Sequence, residues 1–139
     1  MLRLEIEKYK PNSIHDTIQS EFFTKYDSYD YIWCGNYYEW NYAISKVLQP
    51  KSYLEIGVRF GFSFLPTLLG SEKLEYALGW DLETYGNNTI AINNLNKYYT
   101  GNCKWEILHV DSQKQDKLPQ FFDLTNIDGC HDYDCKIHD

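Results

Sequence analysis

Tyr53-Leu-Glu-Ile-Gly-Val-Arg-Phe-Gly-Phe-Ser63 runs from a short apolar segment directly into a turn punctuated by two glycines. Its brevity and the glycine that follows read as a buried strand over Ser52–Val58. Glycine at 57 and 61 lets the backbone reverse sharply, and a helix should follow, with Ser63 as its N-cap, Pro66 in its first turn and Gly70 at its end. Upstream, Trp40, Ala43, Ile44, Val47 and Leu48 recur at the spacing of one helical face, and Pro50 stops that helix. It closes an aromatic stretch that begins at Phe22. Packing on the sheet is the favoured reading of that stretch, and a lid over a ligand is the other.

The strand-turn-helix unit then recurs. A second strand fits Leu74–Trp80 and ends at Asp81, and a helix over Asn88–Tyr99 carries an apolar stripe of Ala91, Ile92, Leu95, Tyr98 and Tyr99. Lys104–Val110 alternates as a third strand, Gln113–Lys117 is a short helix or turn cut by Pro119, Phe121–Ile127 is a fourth strand, and a helix starts at Cys130. Strands alternating with helices predict an α/β fold, a parallel sheet with helices on both faces and right-handed crossovers. Ligands of such sheets bind outside the carboxyl ends of the strands, so chemistry is sought just after each one.

With 139 residues, 43% of them hydrophobic, the chain has the size and composition of one globular unit, here an aromatic helical segment over 1–50 packed on a core domain over 51–139. A net charge of −7 speaks against nucleic acid as a partner, because phosphate backbones are held by clustered Lys and Arg. The N-terminus alternates apolar and charged residues, unlike a signal peptide, and the longest apolar run, Phe60–Leu69, is broken by Gly61, Ser63 and Pro66. These features predict a cytoplasmic protein with no membrane contact. Cys34, Cys103, Cys130 and Cys135 form no C-x-x-C pair and read as reduced thiols.

The turn itself discriminates between ligands. A dinucleotide site would read G-x-G-x-x-G, whereas Arg59 occupies the middle position here. Glu55 sets a carboxylate beside the turn, which repels phosphate and suits an ammonium group. Glu55-x-Gly57-x-x-x-Gly61 resembles motif I of class I S-adenosylmethionine (SAM) dependent methyltransferases. Gly79-Trp-Asp-Leu-Glu83 resembles the next landmark, His109-Val-Asp-Ser-Gln113 the third, and Phe122-Asp-Leu-Thr-Asn-Ile-Asp-Gly-Cys-His-Asp-Tyr133 an IDG-x-H-x-Y signature of a small-molecule subgroup. All four stand in family order over roughly residues 50 to 139.

The resemblance implies a Rossmann-like sheet in strand order 3-2-1-4, with the family's later strands missing after Asp139. It implies SAM as cofactor, held by Glu55, Gly57, Gly61, Asp81, Asp111 and Ser112: Glu55 near the methionine end, Asp81 on the ribose hydroxyls, and Asp111 and Ser112 beside the adenine. It further implies Asp128 near the transfer site, as a ligand for a divalent metal such as Mg in some members. His131 is suited to act as a general base on a hydroxyl of a small-molecule substrate, such as a carbohydrate or secondary metabolite.

Plainer readings stand beside these. Asp81 can cap a loop, and Asp111 with Ser112 can start the following turn. Asp128, His131, Asp132, Asp134, His138 and Asp139 can be a solvated acidic turn, since their spacing brings only a subset to one helix face. A fourth strand left at the sheet edge would expose unpaired N–H and C=O groups and invite a second copy. The alternatives in function are a non-catalytic interaction module and, disfavoured by the turn, a NAD-dependent oxidoreductase.

Overall fold

The computed structural model describes residues 2–9, 30–82 and 86–129. Its elements are α1 (Leu2–Glu7), α2 (Asp30–Leu48), β1 (Ser52–Ile56), α3 (Phe64–Gly70), β2 (Tyr76–Asp81), α4 (Asn87–Tyr98), β3 (Lys104–His109), a 3-10 turn (Ser112–Lys114) and β4 (Leu124–Ile127). The four strands form one parallel sheet in the order β3-β2-β1-β4, the arrangement that the family resemblance implies.

Side chains alternate across β1. Tyr53 points to one face, where with Val58, Phe64, Leu68, Ala77, Ala91 and Leu95 it forms a buried core between the sheet and helices α3 and α4. Leu54 and Ile56 point to the other, with Leu78 and Trp80, and there Tyr76, Val110 and Phe122 pack against them. Fully burying one such side chain is worth about 1.5–3 kcal/mol, so the two layers supply the main drive for this topology. The strands nearest the centre, β1 and β2, are the most deeply buried, as expected when both faces are covered.

Helix α2 stops where Gln49 turns left-handed (φ 49°), before Pro50. Gln49 then donates its side-chain amide to Lys46 O and Gly70 O, which joins the ends of α2 and α3. The two helices approach so closely that a Cβ on Gly70 would lie 2.5 Å from Tyr42 O. Tyr38 of α2 packs edge-on against Phe62, with ring centroids 5.7 Å apart. For this residue of the aromatic stretch, packing is the observed role; the stretch from Phe22 to Tyr29 lies outside the described residues.

Several boundaries differ from the sequence reading. The fourth strand begins at Leu124 instead of Phe121, and Phe121 is 99% exposed. Pro119 lacks an N–H, and Asp123 is committed elsewhere: its Oδ2 accepts from Lys51 N (2.8 Å) and Ser52 N (3.1 Å), while its own N–H donates to Ser52 Oγ. This clasp fixes the start of β1 against the start of β4. Asp123→Ala should cost about 1 kcal/mol in a urea unfolding titration, the usual worth of such bonds at an exposed position.

The short helix or turn expected over Gln113–Lys117 is the 3-10 turn over Ser112–Lys114. Ser63 occupies the N-cap position of α3 without capping it, because its hydroxyl is used by a buried carboxyl.

Candidate functional site

Four segments meet at the carboxyl end of the sheet. Gly57 N donates to Trp80 O (2.8 Å), Asp128 N to Ile56 O (2.8 Å) and Val110 N to Asp81 O (3.0 Å), so the chain leaving each strand is stitched to its neighbour. Gly57 sits at φ +89°, and a Cβ there would lie 2.2 Å from Asp128 O and 2.6 Å from Gly129 Cα. Only glycine serves here, for conformation and for space together.

The turn that follows is held by a carboxylate. Asp81 Oδ2 accepts from Arg59 N at 2.6 Å, a short charge-assisted bond. Arg59 has φ +50°, an uncommon backbone conformation for a residue with a side chain. Its guanidinium carbon lies 5.0 Å over the Phe60 ring. Gly61, at φ +80°, closes the turn through Gly61 N to Val58 O and lies against Ala91 and Leu95 of α4.

Between these segments lies a cavity of about 230 Å³. Gly57, Asp81, Asp111, Ser112 and Gln113 contribute to its lining, with Ile56, Trp80 and Val110 as apolar wall. Leu82 and Gly129, the last described residues before 83–85 and 130–139, also line it. Small-ligand sites combine this apolar wall with a few convergent polar groups, in volumes of about 300 Å³ upward.

Four of the six residues expected to hold a cofactor, Gly57, Asp81, Asp111 and Ser112, thus share one cavity. The plainer readings hold at the same time: Asp81 secures the loop, and Asp111 caps the 3-10 turn by accepting from Gln113 N (3.2 Å) and pairs with Lys114 (2.9 Å). The other two residues of that expectation do not line the cavity. Gly61 faces α4, and Glu55 is completely buried beneath the turn, where the Tyr53 and Ser63 hydroxyls donate to its oxygens. Burial pushes the Glu55 carboxyl up to about 8, against the opposing effect of those hydrogen bonds and of Asn126.

Asp128 brings its backbone against Gly57 and is exposed. His131, with the acidic residues after it, lies outside the described residues. Among the described residues, no three His, Cys, Asp or Glu side chains come together in a way that could hold a metal ion. None of the described helices is long and apolar enough to cross a membrane.

Sequence reasoning passed over Trp80 and Gln113 as cavity residues and the left-handed Arg59. Trp80 lies inside the second landmark and Gln113 ends the third, so position was the available signal; nothing in the sequence marks Arg59 as left-handed. Gly79 is a further case, since a Cβ there would lie 2.6 Å from Val58 Cγ2 and push on the turn from below.

No protein-family model matches the chain, and no curated protein matches it in sequence. Solved structures do match in fold. The chain is similar to the SAH-bound methyltransferase PaMTH1 of Podospora anserina, with a TM-score of 0.68 and 20% identity, over 85% of this chain and 50% of that one. It is also similar to an O-methyltransferase from Bacillus cereus in complex with SAH, with a TM-score of 0.63 and 16% identity, over 93% of this chain and 63% of that one. The chain thus spans between half and two thirds of the length of these neighbours, and it shares their Rossmann-like fold.

Proposed function

We propose that this chain binds SAM in the cavity at the carboxyl ends of β1, β2 and β3 and directs its methyl group to a hydroxyl oxygen of a small polar molecule, such as a carbohydrate or secondary metabolite. The observation that carries the reading is the convergence of Gly57, Asp81, Asp111 and Ser112, drawn from three separate landmarks, on one cavity with an apolar wall. The SAH carried by both structural neighbours supports the same reading.

When bound, SAM supplies a methyl group already activated on its sulfonium, so the protein's task is alignment and proton removal. The Asp81 carboxylate accepts from the ribose hydroxyls while keeping Arg59 N–H in place. Asp111 and Ser112 meet the polar edge of the adenine, whose faces suit Ile56, Trp80 and Val110. Gly57 gives the amino-acid end a path free of side chains. Asp128, which follows β4, borders the transfer site, and His131 takes the acceptor's hydroxyl proton onto an imidazole nitrogen.

Calorimetric titration with SAM, its demethylated product SAH, and NAD tests the reading. SAM and SAH should bind at micromolar affinity and NAD should not. Binding of NAD alone would replace the reading with a dinucleotide enzyme, and binding of none of the three would leave an interaction module.

A further inference from the structure

Glu55 is the hub of a buried polar chain that does not line the cavity. Its two carboxyl oxygens accept from the hydroxyls of Tyr53 and Ser63, and the side chain of Asn126 in β4 adds a third contact. From Ser63 the chain continues: Thr67 Oγ1 donates to Ser63 O at 2.9 Å, and Ser45 Oγ of α2 donates to Thr67 O at 2.6 Å. Ser45, Tyr53 and Glu55 are each 0% exposed, Thr67 1% and Ser63 5%.

The placement matters more than the number of bonds. Glu55 lies two residues before the turn over 57–61, and Ser63 lies two residues after it. A hydrogen bond between them therefore spans the turn and fixes the separation of its ends, while Thr67 and Ser45 extend the hold to α2. From these contacts we infer that Glu55 is a positioning residue, which sets the shape of the glycine turn for the cofactor by clamping both its ends and takes no part in contacting the ligand.

This inference rests on the SAM reading and departs from the expectation that Glu55 meets the ammonium group. A buried acid tends to keep its proton where no cation faces it, and among the described residues none does; burial raises the Glu55 carboxyl to about 8, with the nearby charge of Asp128 acting in the same direction. Among the described residues, the titratable groups that face it are Tyr53 on its own strand and Asp128 beyond β4; Ser63 and Asn126 are uncharged. At neutral pH Glu55 thus acts as a neutral carboxylic acid, so the proton in one of its two hydroxyl contacts is its own and that contact runs from the acid to the hydroxyl oxygen. Glutamine is close to this acid in shape and likewise sets one acceptor oxygen beside a donor, an NH2 with two N–H groups in place of the single O–H.

The sign of the pH dependence follows. The unfolded chain gives up the Glu55 proton near 4.5 and the folded chain only near 8, so folding stability falls as pH rises across that interval and levels off above it. Glu55→Gln should flatten this part of the profile.

The experiment measures SAM affinity by calorimetry and stability by urea unfolding, from pH 5 to 9, for wild type, Glu55→Gln, Glu55→Ala and Ser63→Ala. Glu55→Gln should bind within about threefold of wild type at pH 7, and Glu55→Ala about tenfold or more weaker, as a lost buried hydrogen-bond hub implies. Wild-type affinity should fall relative to Glu55→Gln above pH 8, a ratio that cancels the titration of the ligand's own amine. Ser63→Ala, which keeps the acid and removes one end of the clamp, covers the case in which Glu55→Ala does not fold, and it should also bind more weakly. If Glu55→Gln binds as poorly as Glu55→Ala while remaining as stable as wild type, Glu55 is a charged ligand contact and the inference is wrong. A wild-type stability profile that is flat across the interval also overturns it. If wild type binds no SAM at any pH, the cofactor reading fails first, a result distinct from both others because the variants then have no affinity to lose.

Discussion

Gly57→Ala is expected to destabilise the chain by about 3 kcal/mol or more and to abolish measurable SAM binding. Two costs act together. A left-handed backbone costs a non-glycine residue about 1–2 kcal/mol, and forcing a methyl group into a packed site typically costs about 1–3 kcal/mol more. The second term lies at the high end here, because the atoms met are backbone: Asp128 O at 2.2 Å, Asp128 C at 2.5 Å and Gly129 Cα at 2.6 Å. No rotamer change relieves such a clash. The chain after β4 must move away, which breaks Asp128 N to Ile56 O and opens one wall of the cavity. Urea unfolding and calorimetry on the same preparation separate the loss of stability from the loss of binding.

Asp81→Ala carries the second large effect, on affinity more than on folding. One oxygen of Asp81 secures Arg59 N–H at 2.6 Å, and the carboxylate faces the cavity where the ribose hydroxyls are proposed to lie. Hydrogen bonds to a charged group are worth about 1.5–3 kcal/mol each, so loss of the ribose contacts together with a loosened turn should weaken SAM binding by about 100-fold. Stability should drop by only about 1 kcal/mol, the worth of one bond at a partly exposed position. Asp81→Asn keeps the acceptor for Arg59 N–H and should recover part of the affinity. Equal binding by wild type and Asp81→Ala would remove Asp81 from the site.

The sheet was legible because its signals are local and repeated. β1 and β2 are short apolar runs that end in glycine or aspartate, and α4 shows its stripe through Ala91 and Leu95, both buried as expected. The residues at the carboxyl ends of the strands were legible for the same reason, since topology alone carries Gly57, Asp81 and Asp111 to one end.

What was hidden depends on tertiary partners. Phe121 and Phe122 look alike in sequence, yet Phe122 stacks near Tyr76 while Phe121 is in solvent, because Asp123 is held by the start of β1. Ser63 follows the local rule for an N-cap, but a buried acid eight residues earlier claims its hydroxyl. Glu55, by its adjacency to the turn, reads as an ammonium partner, whereas its carboxyl is completely buried and takes hydrogen bonds from within the fold. That Tyr53, Ser63 and Asn126 would converge on its carboxyl depends on the register of β1 with β4 and on the packing of α3, neither of which a linear pattern states.

The central claim is that one cavity, bounded by Gly57, Asp81 and Asp111, seats the cofactor. A crystal structure of the chain with SAH tests it most directly. The ribose hydroxyls should lie within hydrogen-bond distance of Asp81, with the adenine edge at Asp111 and Ser112 and the amino-acid end over Gly57. SAH seated away from Asp81, or density for it only in the cavity beside Trp40 and Asn41 between α2 and β4, would contradict the account.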